Sequence, residues 1–187
     1  TGHDGYIGAI MTRVFQDAGH TVSGLDTGFF KDAALGGDLE PIETIPGDLR
    51  DITASNLVGI DAIAHLAALS NDPLGDIDPD LTFDINYEAS VNLANAAREA
   101  GVKRFLYSSS CSMYGASDEV LDENAEFNPL TPYAESKIRA ETAIRKLVTK
   151  AFSPTYMRNA TAYGASPRFR ADIVLNNLTC WAYTTGE

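Results

Sequence analysis

The sequence predicts an α/β protein, a Rossmann-like doubly wound parallel sheet. Three observations predict it. Short apolar stretches of strand length alternate with helical stretches along the chain, joined by short connections. The first helical stretch follows "TGHDGYIG", in which Gly2, Gly5 and Gly8 stand three residues apart. The next apolar stretch ends in an acid, Asp26, 18 residues after Gly8, near the spacing of a ribose-binding carboxylate.

Each element has its own reason. Residues 6–19 carry apolar side chains at helical spacing and stop at a glycine. Residues 20–26 read as a short strand, 42–51 as a strand followed by a turn, and 61–69 as a buried strand. Residues 78–101 form a long helix, with Pro79 near its start and Gly101 past its end. A strand over 103–110, a long loop over 111–132, a helix over 133–150, a strand over 153–159 and a helix over 171–185 complete the order. There is no repeat and no low-complexity linker. A dinucleotide fold has a strand ahead of its glycine loop, and Thr1 leaves no room for one. The sequence is therefore expected to be incomplete at its start, because without that strand its neighbours would present unpaired backbone groups.

Composition narrows the function. The 187 residues suffice for one domain with a sizeable core, and 44% apolar with 21% charged residues is ordinary for a soluble globular chain. A net charge of −12 argues against a nucleic-acid binder, so any phosphate-binding surface must be local. Cys111 and Cys180 lie far apart, which argues against a disulfide framework or a zinc site and fits a reducing cytoplasm. No run approaches the roughly 18 apolar residues of a membrane span, and no targeting segment is visible. No metal is expected. "DIDPD" (76–80) alternates carboxylates like a calcium loop but has Leu81 where the loop glycine belongs and Tyr87 where the final acid belongs. His65, on an apolar strand, reads as a satisfied core histidine.

The glycine loop permits a tight turn and close approach of the backbone to a pyrophosphate, and the helix after it offers N–H groups and a favourable dipole. Asp26 can accept from both ribose hydroxyls and repels a 2′-phosphate, which favours NAD over NADP; otherwise it merely begins an Asp-Thr-Gly turn. In "YAESK", Tyr133 and Lys137 are one turn apart on one helix face. A helix has no need of that pair, whereas a proton-transfer site has. On an ordinary helix they are a surface tyrosine and lysine.

"TGHDGYIG", Asp26, "GDLRD" (47–51), "HLAA" (65–68), "YSSSCSMYG" (107–115), "PYAESK" (132–137) and "RNATAYG" (158–164) occur in one order along the whole chain. In this the chain resembles the extended short-chain dehydrogenases/reductases of the NAD-dependent nucleotide-sugar epimerase/dehydratase group. The resemblance implies NAD as cofactor, bound by Gly2, Gly5, Tyr6, Ile7, Gly8, Asp26, Asp48, Leu49, Ala67, Ala68, Tyr133 and Lys137. It implies Tyr133 as acid/base, Lys137 lowering its pKa and holding the nicotinamide ribose, and Ser110 bonding the same substrate oxygen. It implies a nucleotide-diphosphate sugar as substrate, with Ser110, Tyr133, Asn177 and Leu178 in contact, and a structural or water-holding Asn86. Thr161 stands where the family often has asparagine, which removes that position as an expected substrate contact. The resemblance also implies that 1–187 is a dinucleotide-binding domain truncated at both ends, with 159–187 beginning the substrate-binding region. A homodimer through helices 78–101 and 133–150 is expected, with Leu93, Ala97, Ile138 and Leu147 supplying apolar surface. Sugar 4,6-dehydratases of the family usually carry Asp-Glu after the Ser/Thr. Cys111 and Ser112 occupy those places, which disfavours dehydration and leaves C4 epimerisation or a simple oxidation or reduction. The rival reading is a catalytically silent NAD-binding regulatory protein.

Overall fold

The described elements follow the predicted order. The computed structural model describes residues 1–29, 32–35, 41–45, 47–71, 75 and 77–186. Along the chain come α1 (Gly8–Asp17), β1 (Ser23–Gly24), β2 (Glu43–Thr44), β3 (Ala62–His65), α2 (Pro79–Phe83), a π turn (Asp84–Glu88), α3 (Ala89–Glu99), β4 (Arg104–Ser110), α4 (Pro132–Arg145), β5 (Ser153–Asn159) and α5 (Val174–Thr185). They form two compact units: Thr1 with Gly47–Ala160, and Gly2–Pro46 with Thr161–Glu187.

In the first unit β3, β4 and β5 are neighbours in that order, and both pairs are parallel. Parallel neighbours need a long crossover, which the helices between them supply. The register sets His65 opposite Tyr107 and Ser110 opposite Asn159. Thr1 extends the β3 side, its amino group donating to the Ala64 carbonyl at 2.8 Å. Phe105 and Tyr107, two apart on β4, are completely buried, as are Ile144 of α4 and Phe152. Truncating Phe105 to alanine removes a ring from this core and costs about 3–5 kcal/mol.

The stripe Ser90, Leu93, Ala94 and Ala97 of α3 is also buried. This corrects the reading of Leu93 and Ala97 as spare apolar surface. At spacings of three and four they are the face the helix must bury within its own unit. Ile138 and Leu147 are half-buried.

In the second unit β1 and β2 pair in parallel over two residues each. Both are shorter than their apolar stretches predict. A Cβ added at Gly24 would stand 2.4 Å from His3 Nδ1, so the short strand sits where backbone and ring approach closely.

The long predicted helix of 78–101 is one path with a π turn inside it, a feature frequent at functional sites. Helix α4 begins one residue before the expected Tyr133, because Thr131 Oγ1 accepts from Ala134 N and Pro132 takes the first position. It ends at Arg145 rather than residue 150. Thr149 Oγ1 then accepts from the N–H groups of Ala151 and Phe152 and leads into β5. Asp78 caps α2 by accepting from Leu81 N at 2.9 Å. Asp76 of the same acidic stretch lies outside the described residues.

Candidate active site

The glycine loop lies in the second unit. Gly2 holds φ 70, a conformation that L side chains rarely adopt, and its N–H donates to the Leu25 carbonyl at 2.8 Å. A Cβ on Gly8 would lie 2.0 Å from the Gly2 carbonyl oxygen, so Gly8 is the close-packing glycine of the loop. A Cβ on Gly5 would meet the same oxygen at 3.3 Å, a tight contact that a shift of a few tenths of an ångström relieves. The chain's own packing therefore demands Gly5 far less than Gly8, as expected where a ligand approaches the backbone. No side chain caps α1 at Ile7, and no acidic residue stands in its first turn. That leaves the helix terminus favourable to a phosphate. Asp26, just after β1, accepts from Asp4 N at 3.1 Å and Gly28 N at 2.9 Å, which fixes its carboxylate beside the loop. These features fit a dinucleotide.

Tyr6 serves this loop structurally. Its hydroxyl donates to the Gly164 carbonyl at 2.8 Å and accepts from Asn176 Nδ2 at 3.1 Å. Arg168, buried, donates from Nε to the Asp4 carbonyl at 3.0 Å and faces the Asp4 carboxylate. Asn177 donates to the Ala171 carbonyl, and Leu178 is largely exposed.

The three residues expected to carry proton transfer lie in the first unit. Ser110 ends β4, and its Oγ accepts from Ser112 N at 3.2 Å and Ser112 Oγ at 2.8 Å. With two donors on its oxygen, the Ser110 hydrogen is left for another acceptor. Tyr133 and Lys137 lie on α4. Lys137 is only 3% exposed; its Nζ donates to the Ser108 carbonyl at 2.8 Å and stands 5.5 Å from the centre of the Tyr133 ring. Burial pushes the Lys137 pKa down to about 8, while the Glu141 carboxylate pulls it upward. The other ring under the ammonium is Tyr107, at 4.8 Å, whose pKa burial raises far above the usual phenol range.

The remaining expected contacts are held by their surroundings. Asn86, completely buried in the π turn, accepts from Leu69 N at 2.8 Å and donates to the Leu69 carbonyl at 2.9 Å. Thr1 Oγ1 accepts from Ala67 N at 3.3 Å, so the Ala67–Ala68 stretch is pinned on both sides. Asp48 caps the short turn Leu49–Asp51, and the Arg50 guanidinium bonded to it lowers its pKa. Leu49 is buried. His65 is the satisfied core histidine expected: Ser90 Oγ lies 2.7 Å from Nε2 and Thr1 Oγ1 2.7 Å from Nδ1.

Sequence reading missed Ser112, Asn159, Glu141, Arg158 and Arg168. Asn159 donates to Ser108 Oγ at 3.0 Å, and Glu141 is bonded twice by Arg158. One signal was available for Glu141: it stands one turn after Lys137, beside Ala140 and one turn before Ile144 among the buried residues of the helix.

Parallel strands joined through helices, and a glycine loop opening a helix, are the parts of a Rossmann-like dinucleotide-binding fold. Residues 1–183 match the model of the NAD dependent epimerase/dehydratase family, and the chain belongs to that family. A UDP-glucose 4-epimerase of Streptomyces lividans is 30% identical over 77% of this chain and 45% of its own length. A 3 beta-hydroxysteroid dehydrogenase/Delta 5-->4-isomerase of Mycobacterium tuberculosis is 32% identical over 75% of this chain and 40% of its own. Among solved structures, DesIV, a dTDP-glucose 4,6-dehydratase of Streptomyces venezuelae with NAD and TYD bound, superposes with a TM-score of 0.82 at 25% identity, covering 99% of this chain and 61% of that one. The chain spans about half the length of the curated relatives it matches.

Proposed function

We propose that this chain works in an NAD-dependent nucleotide-sugar epimerase acting at C4. The observation that carries the reading is the buried Lys137 ammonium, which donates to the Ser108 carbonyl of the strand that ends in Ser110 and faces the Tyr133 ring of its own helix. The glycine loop Gly2, Gly5, Tyr6, Ile7, Gly8 would hold the pyrophosphate and Asp26 the adenine ribose. Asp48 and Leu49 would flank the adenine, and Ala67 and Ala68 would line the cofactor. Bound NAD would supply the hydride acceptor and, once the keto sugar has turned over, the hydride donor.

Tyr133 takes the proton from the sugar hydroxyl and later returns it. A free phenol near pKa ~10 is a poor base at neutral pH. A neighbouring ammonium favours phenolate, and that is the task of Lys137. Ser110 directs its hydroxyl hydrogen to the same sugar oxygen. Dehydration lacks its carboxylates: Cys111 is an exposed free thiol, and Ser112 is bonded to Ser110. Residues 159–187 begin the substrate side, where Asn177 and Leu178 would meet the nucleotide diphosphate. The chain pairs as a cytoplasmic homodimer through the outer faces of helices 78–101 and 133–150, without Leu93 and Ala97.

The steroid dehydrogenase relative supports a second reading, oxidation without return of the hydride. Incubation with NAD and a panel of UDP-, dTDP-, GDP- and CDP-sugars separates the readings. Inversion at C4 without accumulation of reduced cofactor supports the epimerase. Net cofactor reduction supports the dehydrogenase, and NAD binding with neither outcome marks a silent binder.

A further inference from the structure

Lys137 is not the only charge on the buried face of α4. One turn further on, Glu141 is 3% exposed. Arg158 of β5 closes on it with a forked pair of bonds, Nε to Oε1 at 3.1 Å and Nη2 to Oε2 at 2.8 Å. The guanidinium is held in turn, its Nη1 donating to Tyr114 Oη at 2.7 Å and to the Glu123 carbonyl at 2.8 Å. It also packs over the Phe127 ring at 5.1 Å.

Stability does not account for this arrangement. A buried ion pair is commonly no better than apolar side chains of the same shape, because two ions must leave water. The same face carries Ala134, Ala140 and Ile144, so apolar side chains already suit it. A charge kept there under those conditions points to a task.

We propose that the buried Glu141–Arg158 pair is a positioning device for Lys137, keeping the lysine's ammonium charged inside the protein at working pH. Lys137 faces Tyr133 on its own helix, Tyr107 and the Ser108 carbonyl on β4, and His65 on β3. Burial keeps both Tyr107 and His65 in their neutral forms. Among these described groups Glu141 is the one anion. Its carboxylate opposes the burial that drives Lys137 toward the neutral amine. The Arg158 fork supplies the partner a carboxylate needs to remain in the interior. A neutral Lys137 would neither favour the Tyr133 phenolate nor donate as a cation. The proposal rests on the role given to Lys137 above.

The test is an NMR titration of the protein labelled with [13Cε]lysine, with the Lys137 resonance assigned by its loss in Lys137→Met. No cofactor is added, so failure of the cofactor reading would appear as lost NAD binding and leave this result standing. The Lys137 midpoint should lie near pH 8 in the parent and fall by about one unit in Glu141→Gln. Glu135→Gln, which breaks the exposed pair with Arg139, should leave it in place. Should Glu141→Gln not fold, the double change E141Q/R158M leaves no unpaired guanidinium behind and carries the same expectation. An unmoved or raised midpoint in whichever variant folds overturns the proposal.

Discussion

Gly8→Ala separates the packing role of the loop from its ligand role. The added Cβ would lie 2.0 Å from the Gly2 carbonyl oxygen, 2.7 Å from His3 Cα and 2.8 Å from the Gly2 carbonyl carbon. All three are backbone atoms, so no side chain can swing aside. Reaching ordinary contact requires a shift of roughly 1 Å or more in the loop or in α1, and overpacking of that kind costs about 3 kcal/mol, the upper part of its usual range. Gly5→Ala is the matched control. Its Cβ meets only the Gly2 oxygen, at 3.3 Å, and the position is not among those at positive φ. Denaturant unfolding should show Gly8→Ala clearly destabilised and Gly5→Ala much less so. Calorimetric titration with NAD should show both weakened, Gly8→Ala through the displaced loop and Gly5→Ala through its methyl group against the pyrophosphate. Gly8→Ala with parental stability and parental NAD affinity would refute the reasoning.

Two further outcomes are expected. Asp26→Ala should relax the preference for NAD over NADP in competitive binding, since a 2′-phosphate no longer meets a carboxylate; equal affinity of the parent for both cofactors contradicts the role of Asp26. The Lys137 pKa, about 8 in the folded protein against an ordinary 10.5, makes the unfolded chain hold the extra proton between those values. Stability should therefore rise with pH through that window, by about 3 kcal/mol if the whole shift is realised. Lys137→Met should lose this rise, as measured by denaturant unfolding at several pH values.

Much of the fold was legible because its signals are local. β5 was predicted over 153–159 and found there, since Thr155 and Tyr156 favour a strand without help from a distant partner. Gly2, Gly5, Gly8 and the Tyr133–Lys137 pair are likewise visible at short spacing. What escaped depends on contacts remote in sequence. Arg158 and Glu141 are 17 residues apart on different elements, and nothing in either neighbourhood announces the pairing. The π turn holds Asn86, which reaches back to Leu69, again 17 residues away. Leu93 and Ala97 were assigned to the surface because helical periodicity gives an apolar stripe without saying what it faces. Thr131 was the avoidable miss: Thr-Pro ahead of a helix is a local start signal.

The most direct measurement is single-turnover reduction of bound NAD by the sugar nucleotide that the protein accepts, comparing the parent with Tyr133→Phe. The substitution removes only the hydroxyl, so folding and NAD binding should survive. Hydride transfer should fall by roughly the 10²–10⁴-fold that a positioned acid/base contributes. Reduction of the cofactor by Tyr133→Phe at the parental rate would contradict the assignment of Tyr133 and the mechanism built on it.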